Sequence, residues 1–73
     1  MISITEIGIT AGEVWRYLDD KGSATLDDLC RDIGKPRDLF LMSLGWLARE
    51  GYIILQSDGT GYRATLHRKD KDK

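Results

Sequence analysis

The side chains best suited to catalysis or metal binding are few in this chain and poorly placed for either. Cys30 is the single cysteine and His67 the single histidine, and they lie far apart in the sequence. A nucleophilic thiol needs a base within hydrogen-bond reach, and a zinc site needs three or four nitrogen or sulfur ligands at short spacings. Neither set is present. The adjacent acids Asp19-Asp20 and Asp27-Asp28 read as a solvated helix end and as a complement to a helix dipole. Gly59-Thr60-Gly61 is not followed by a helical pattern, so it is not a phosphate-cradling loop. The expectation is a non-enzymatic protein with no catalytic, metal or cofactor residues and no evident small-molecule substrate.

What remains is the chemistry of binding surfaces, and one part of it is charge. Residues 1–33 hold three basic against seven acidic side chains, a balance of −4, and residues 34–73 hold eight against five, a balance of +3. The second half can attract an anionic partner. The other part is apolar. Gly34 to Gly51, read as GKPRDLFLMSLGWLAREG, has more large hydrophobic residues than one helix face can bury.

The elements that position these residues follow from periodicity and punctuation. At 73 residues there is room for one domain with one small core, burying about 60–65% of the unfolded surface. No apolar run approaches the roughly 18 residues of a membrane span, and the amino end has no signal-peptide pattern. With a lone cysteine, this predicts a cytoplasmic protein. Ile2, Ile4, Ile7 and Ile9 are apolar at near-alternate positions, predicting an N-terminal arm or strand over 1–9. Thr10 with Glu13 predicts a capping box opening a first helix, with Ala11, Val14, Trp15 and Leu18 inward and Gly22 as its stop. Thr25 caps a second helix whose stripe is Leu26, Leu29, Cys30 and Ile33, with Cys30 as a small hydrophobe. Gly34 ends it, and Pro36 suits the first position of a third helix that runs to Glu50 and stops at Gly51.

Two β-prone runs, Tyr52–Gln56 and Tyr62–Leu66, flank Asp58-Gly59 and predict a hairpin. A two-residue Asp58-Gly59 turn sets Leu55 against Tyr62 and Ile53 against Ala64, on the face that roofs the helices. Residues 67–73 are expected to be a flexible basic tail.

Two helices joined by a short turn containing glycine form a helix-turn-helix signature. Helix, short strand, helix, turn, helix and hairpin over residues 10–66 resemble the winged helix-turn-helix superfamily, an α+β single domain of three helices and a C-terminal β-hairpin wing. Leu44-Gly45-Trp46-Leu47-Ala48-Arg49-Glu50-Gly51-Tyr52-Ile53 is similar to the passage from recognition helix into wing, and Thr25-Leu26-Asp27-Asp28-Leu29 to the start of the preceding helix. The whole chain looks most like a small stand-alone winged-helix family of bacteria and archaea with no assigned role. The resemblance implies DNA binding, with the third helix in the major groove and the wing at the backbone.

The third helix argues otherwise. At 100° per residue its core face holds Phe40, Leu44 and Leu47, flanked by Ser43 and Ala48. Outward lie Asp38, Leu39, Met42, Gly45, Trp46, Arg49 and Glu50, with Leu41 at the border. Base edges and phosphates are read by hydrogen bonds, and Leu39, Leu41, Met42 and Trp46 offer only one indole N–H. Leaving four large apolar side chains in water forgoes on the order of 6–10 kcal/mol. The leading expectation is therefore a regulatory protein-interaction module, a homodimer or a partner of another regulatory protein, using Leu39, Leu41, Met42, Gly45 and Trp46. What covers that face is open between the N-terminal arm of the same chain and a second copy. The alternative is nucleic-acid binding through wing and tail, with Lys35, Arg37, Arg63, Arg68 and Lys69 on phosphates.

Overall fold

A computed structural model of the chain describes residues 2–59 and 61–67. The elements are α1 (Ile4–Lys21), β1 (Ser23–Thr25), α2 (Leu26–Ile33), α3 (Arg37–Arg49), β2 (Ile53–Asp58) and β3 (Gly61–Leu66). The strands form one antiparallel sheet ordered β1-β3-β2, with α1, α2 and α3 packed against its inner face. This is the three-helix, hairpin-wing order predicted from the sequence.

The first nine residues differ from the expected arm or strand, because α1 begins at Ile4. Ser3 Oγ accepts from the Glu6 N–H at 3.1 Å, and the Ser3 N–H donates to Glu6 Oε1 at 3.0 Å. That reciprocal pair satisfies donors at the helix start, and it outweighs the modest helical penalty of β-branched isoleucine. Thr10 consequently caps nothing. It is fully buried inside α1, and its Oγ1 accepts from Lys35 Nζ at 3.4 Å. The buried stripe is Thr10, Ala11, Val14 and Leu18. Trp15, expected inward, is exposed, because it lies on the edge of α1 that no other element covers.

The other helix ends follow local chemistry. Thr25 Oγ1 accepts from the Asp28 N–H at 3.0 Å while Asp28 Oδ2 accepts from the Thr25 N–H at 3.0 Å, a second capping box at α2. Gly34 is left-handed at φ 82° and ψ 30°, a conformation costly for residues with a Cβ. Pro36 is the N-cap of α3 rather than its first residue. At the far end Gly51 has φ 82°. Its N–H donates to the Ala48 carbonyl at 3.1 Å and the Tyr52 N–H to the Leu47 carbonyl at 3.0 Å. These two bonds form a Schellman motif, which turns the chain directly into β2.

The hairpin register is shifted from the expected one. Leu55 pairs with Ala64 and Ile53 with Leu66, and the closing pair is Asp58 with Gly61. The turn is centred one residue later than Asp58-Gly59, so pairing slips by two. A two-residue slip preserves which side chains share a face. Ile53 and Ala64 are buried and Leu66 partly so, while Leu55 and Tyr62 are exposed on the protruding wing. The core joins these strand residues to Val14, Leu18, Ala24, Leu26, Leu29, Phe40, Leu44 and Leu47. Cys30 packs partly buried against it, as a small hydrophobe.

A polar network fastens α1 to α2. Tyr17 Oη donates to Asp32 Oδ2 at 2.6 Å, and Arg31 reaches Asp32 Oδ1 at 3.0 Å and Asp28 Oδ1 at 3.2 Å. The hydrogen bond to the Asp32 carboxylate holds the Tyr17 phenol above its ordinary pKa. The same bond, then Arg31, holds Asp32 below the usual carboxylate range. The Thr25 N–H does likewise for Asp28. Both carboxylates titrate lower folded than unfolded, so their contribution is present above about pH 4 and is lost as pH falls through the folded values. The Tyr17 contribution has the opposite sign, being full below about pH 10 and lost as pH rises through the raised value. Urea midpoints measured across pH should fall on both limbs. Asp32→Asn should leave only the Asp28 share of the acid limb and remove the Tyr17 share of the alkaline limb; superimposable profiles would contradict the linkage.

Candidate interaction surface

α3 presents two faces, fixed by where α1 crosses it. Ser43, fully buried, places its Oγ 2.8 Å from the Leu39 carbonyl and 3.2 Å from the Ile7 carbonyl of α1. The early turns of α1 therefore lie directly on α3. A correction to the expected surface follows from this contact: Leu39 is 5% exposed and belongs to the interior. Its position on the helical wheel faces away from the sheet-side core, but the N-terminal extension of α1 adds a second wall there. Of the two covers left open by the sequence, residues 1–9 reach Leu39 and Ser43, as the first turns of a helix.

The rest of the predicted face stays open. Leu41 is 38%, Met42 45% and Trp46 47% exposed, and Gly45 is exposed beside them. A Cβ built at Gly45 meets nothing within 4 Å, so no neighbour within the described chain requires a glycine there. Trp46 and Tyr52 rings have centroids 6.3 Å apart, tilted by 36°, within the range of favourable aromatic pairs. The Schellman turn at Gly51 brings Tyr52 back toward the last turn of α3. Leu41, Met42, Gly45 and Trp46 then form an exposed surface whose large side chains are apolar or aromatic, with Tyr52 beside Trp46.

Among the described residues, the candidate phosphate contacts are paired with carboxylates. Lys35 Nζ lies 2.7 Å from Glu13 Oε1. That contact lacks hydrogen-bond alignment, so it is mainly ionic, and it ties the turn before α3 back to α1. Arg37 Nη1 pairs with Asp27 Oδ1 at 3.3 Å. Arg63 Nε pairs with Asp58 Oδ2 at 3.3 Å, while its Nη1 donates to Ser23 Oγ at 3.3 Å. Each of the three cations thus has a carboxylate beside it. Arg68 and Lys69, with the rest of the expected tail beyond residue 67, lie outside the described residues. Among the described residues, no cluster of histidine, cysteine and carboxylate side chains is arranged to hold a metal ion, and no helix is long and apolar enough to cross a membrane.

Sequence reasoning missed the α1 side of this surface. Gly8, Gly12 and Trp15 follow helical spacing, are exposed, and line a groove with Trp46 and Tyr52. Gly8-x-x-x-Gly12 was the available signal, hidden by the expectation that the helix starts at Thr10.

Residues 2–65 match the family described as winged helix-turn-helix domain (DUF2582). The chain belongs to this family. No curated protein and no solved structure matches the chain significantly. In this winged helix-turn-helix domain α3 occupies the recognition-helix position, and β2 and β3 form the wing.

The two faces of α3 should separate by mutation. Leu39→Ala is expected to cost roughly 2–5 kcal/mol, as for a buried leucine. Met42→Ala should stay within about 0.5 kcal/mol, as for a surface site. Urea unfolding of dilute protein measures both, and equal costs would contradict the assignment of Leu39 to the interior.

Proposed function

We propose that this winged helix-turn-helix protein acts in regulation as a protein-interaction module, and that it works as a homodimer joined through the outer face of α3. The observation that carries this reading is the uncovered apolar set Leu41, Met42 and Trp46 around the open Gly45. α1 covers Leu39 and leaves the others to solvent. Contiguous exposed apolar surface of this kind usually marks a protein contact. A twofold axis beside α3 sets the same patch against itself, as an isologous interface requires. Gly45 allows the two helix backbones to approach closely.

The fold family by itself favours nucleic acid as a partner, through Lys35, Arg37 and Arg63 and through Arg68 and Lys69. Against that stand the carboxylates beside the first three, and an α3 whose outward side chains supply few base-reading donors and acceptors.

Light scattering of the purified protein should give twice the chain mass at about 100 μM and a falling average mass toward about 1 μM, the behaviour of a micromolar self-association. Trp46→Glu should be monomeric throughout with its fold retained. A wild-type protein that stays monomeric at about 100 μM would sink the proposal. Duplex binding that weakens steeply with salt and survives Trp46→Glu would instead favour the nucleic-acid reading.

A further inference from the structure

An open groove of about 830 Å³ runs between α1 and the corner where α3 turns into β2. We infer that it is a binding site for a small planar aromatic anion, an aromatic carboxylate in chemical class. Its volume falls within the roughly 300–1,000 Å³ of small-molecule sites. Trp15, Trp46 and Tyr52 supply aromatic lining, Gly8 and Gly12 leave the α1 side bare, and Arg16 is the charged residue present.

The charge distribution selects the ligand's sign. Among the described residues, no acidic side chain lines the groove, although α1 alone carries Glu6, Glu13, Asp19 and Asp20. Among the described residues, Lys21, Arg31, Lys35, Arg37 and Arg63 each have a carboxylate within 4.0 Å. Arg16 and Arg49 have none, and Arg16 is the one that borders the groove. A guanidinium beside aromatic and apolar walls pairs best with a planar carboxylate.

The glycines select the ligand's shape. A Cβ built at Gly8 or Gly12 meets nothing within 4 Å, so packing among the described residues does not call for glycine at either position. Mid-helix glycine is unfavourable relative to alanine. The bare floor they leave admits a flat ring close to the helix backbone, where the indole and phenol rings can stack on it. The inference does not rest on the α3 dimer, and both test substitutions lie on α1.

The test is an NMR titration of the full chain with naphthalene-2-carboxylate, reading the indole N–H signals of Trp15 and Trp46, the two tryptophans in the sequence. Both should shift saturably with a Kd of roughly 0.1–1 mM, ordinary for a ligand of this size in an open site. The neutral naphthalene-2-carboxamide should bind roughly three- to tenfold more weakly, the worth of one partly exposed charge pair. Arg16→Gln should erase that difference. Gly12→Leu should keep the helical circular dichroism, raise the melting temperature, and abolish binding by filling the floor. The inference is overturned if no saturation occurs by about 10 mM, a concentration well above that Kd range. It is equally overturned if carboxylate and carboxamide bind alike, or if Gly12→Leu binds as the wild type does. Concentration-dependent indole shifts without ligand that Gly12→Leu removes would give the groove to a second copy, and the inference would fall.

Discussion

The contact on which the other placements depend is the crossing of α1 over α3 at Ser43. A serine hydroxyl has one proton and two acceptor lone pairs. Here it sits within reach of the carbonyl of Leu39 in its own helix and that of Ile7 in the other. Only a side chain this small lets the helices approach so closely while keeping a buried polar group satisfied. The crossing decides which part of α3 is interior. Leu39 and Ser43 become covered, and Phe40, Leu44 and Leu47 face the sheet. Leu41, Met42, Gly45 and Trp46 are left outside. A second clip, Lys35 to Glu13 with Thr10 beside it, fixes the turn before α3 against the same helix. Half-buried pairs of that kind are worth on the order of 1 kcal/mol, so its role is to set direction more than to supply stability.

How much of this the sequence discloses depends on the range of the interaction involved. Local punctuation is legible: Thr25-x-x-Asp28 closes a capping box, Gly34 and Gly51 take positive φ, and the stripe through Leu26 and Leu29 is buried. The start of α1 was legible too, in Ser3-x-x-Glu6, but two rules competed there. Four isoleucines at near-alternate positions suggest an extended chain, while the capping box and the helical spacing of Ile7, Ala11, Val14 and Leu18 specify a helix. The helix prevails because its buried residues have a partner in α3, and tertiary burial outweighs propensities of a few tenths of a kilocalorie.

What was not legible required knowing distant neighbours. Leu39 lies on the far side of a helical wheel, and only the crossing of α1 makes that side interior. The partners of Lys35 and Arg37 are Glu13 and Asp27, from other helices. No spacing rule connects them. The hairpin register hinges on whether the turn centres on residues 58–59 or one residue later, and its faces are the same either way. The surface residues of α3 were readable in kind, since four of the five named apolar positions are exposed. The matching α1 stripe was lost because the helix start was set at Thr10 and Trp15 was assigned to the inward face.

The pairing of cations explains how a winged helix-turn-helix architecture can be kept while its surface chemistry changes. Binding to duplex DNA gains free energy chiefly by releasing condensed counterions, and the gain scales with the number of phosphates neutralised. A cation with a carboxylate 3 Å away presents a dipole to a phosphate, not a net charge. Engaging the phosphate then leaves the carboxylate to repel it. Lys35, Arg37 and Arg63 are all in that condition, which lowers the effective number of contacts that the turn and wing can offer. The same helix position that would enter a groove carries Met42 and Trp46, whose favourable transfer is out of water and into an apolar partner. The backbone geometry of the fold sets where α3 is displayed; these side chains set what kind of surface it can meet.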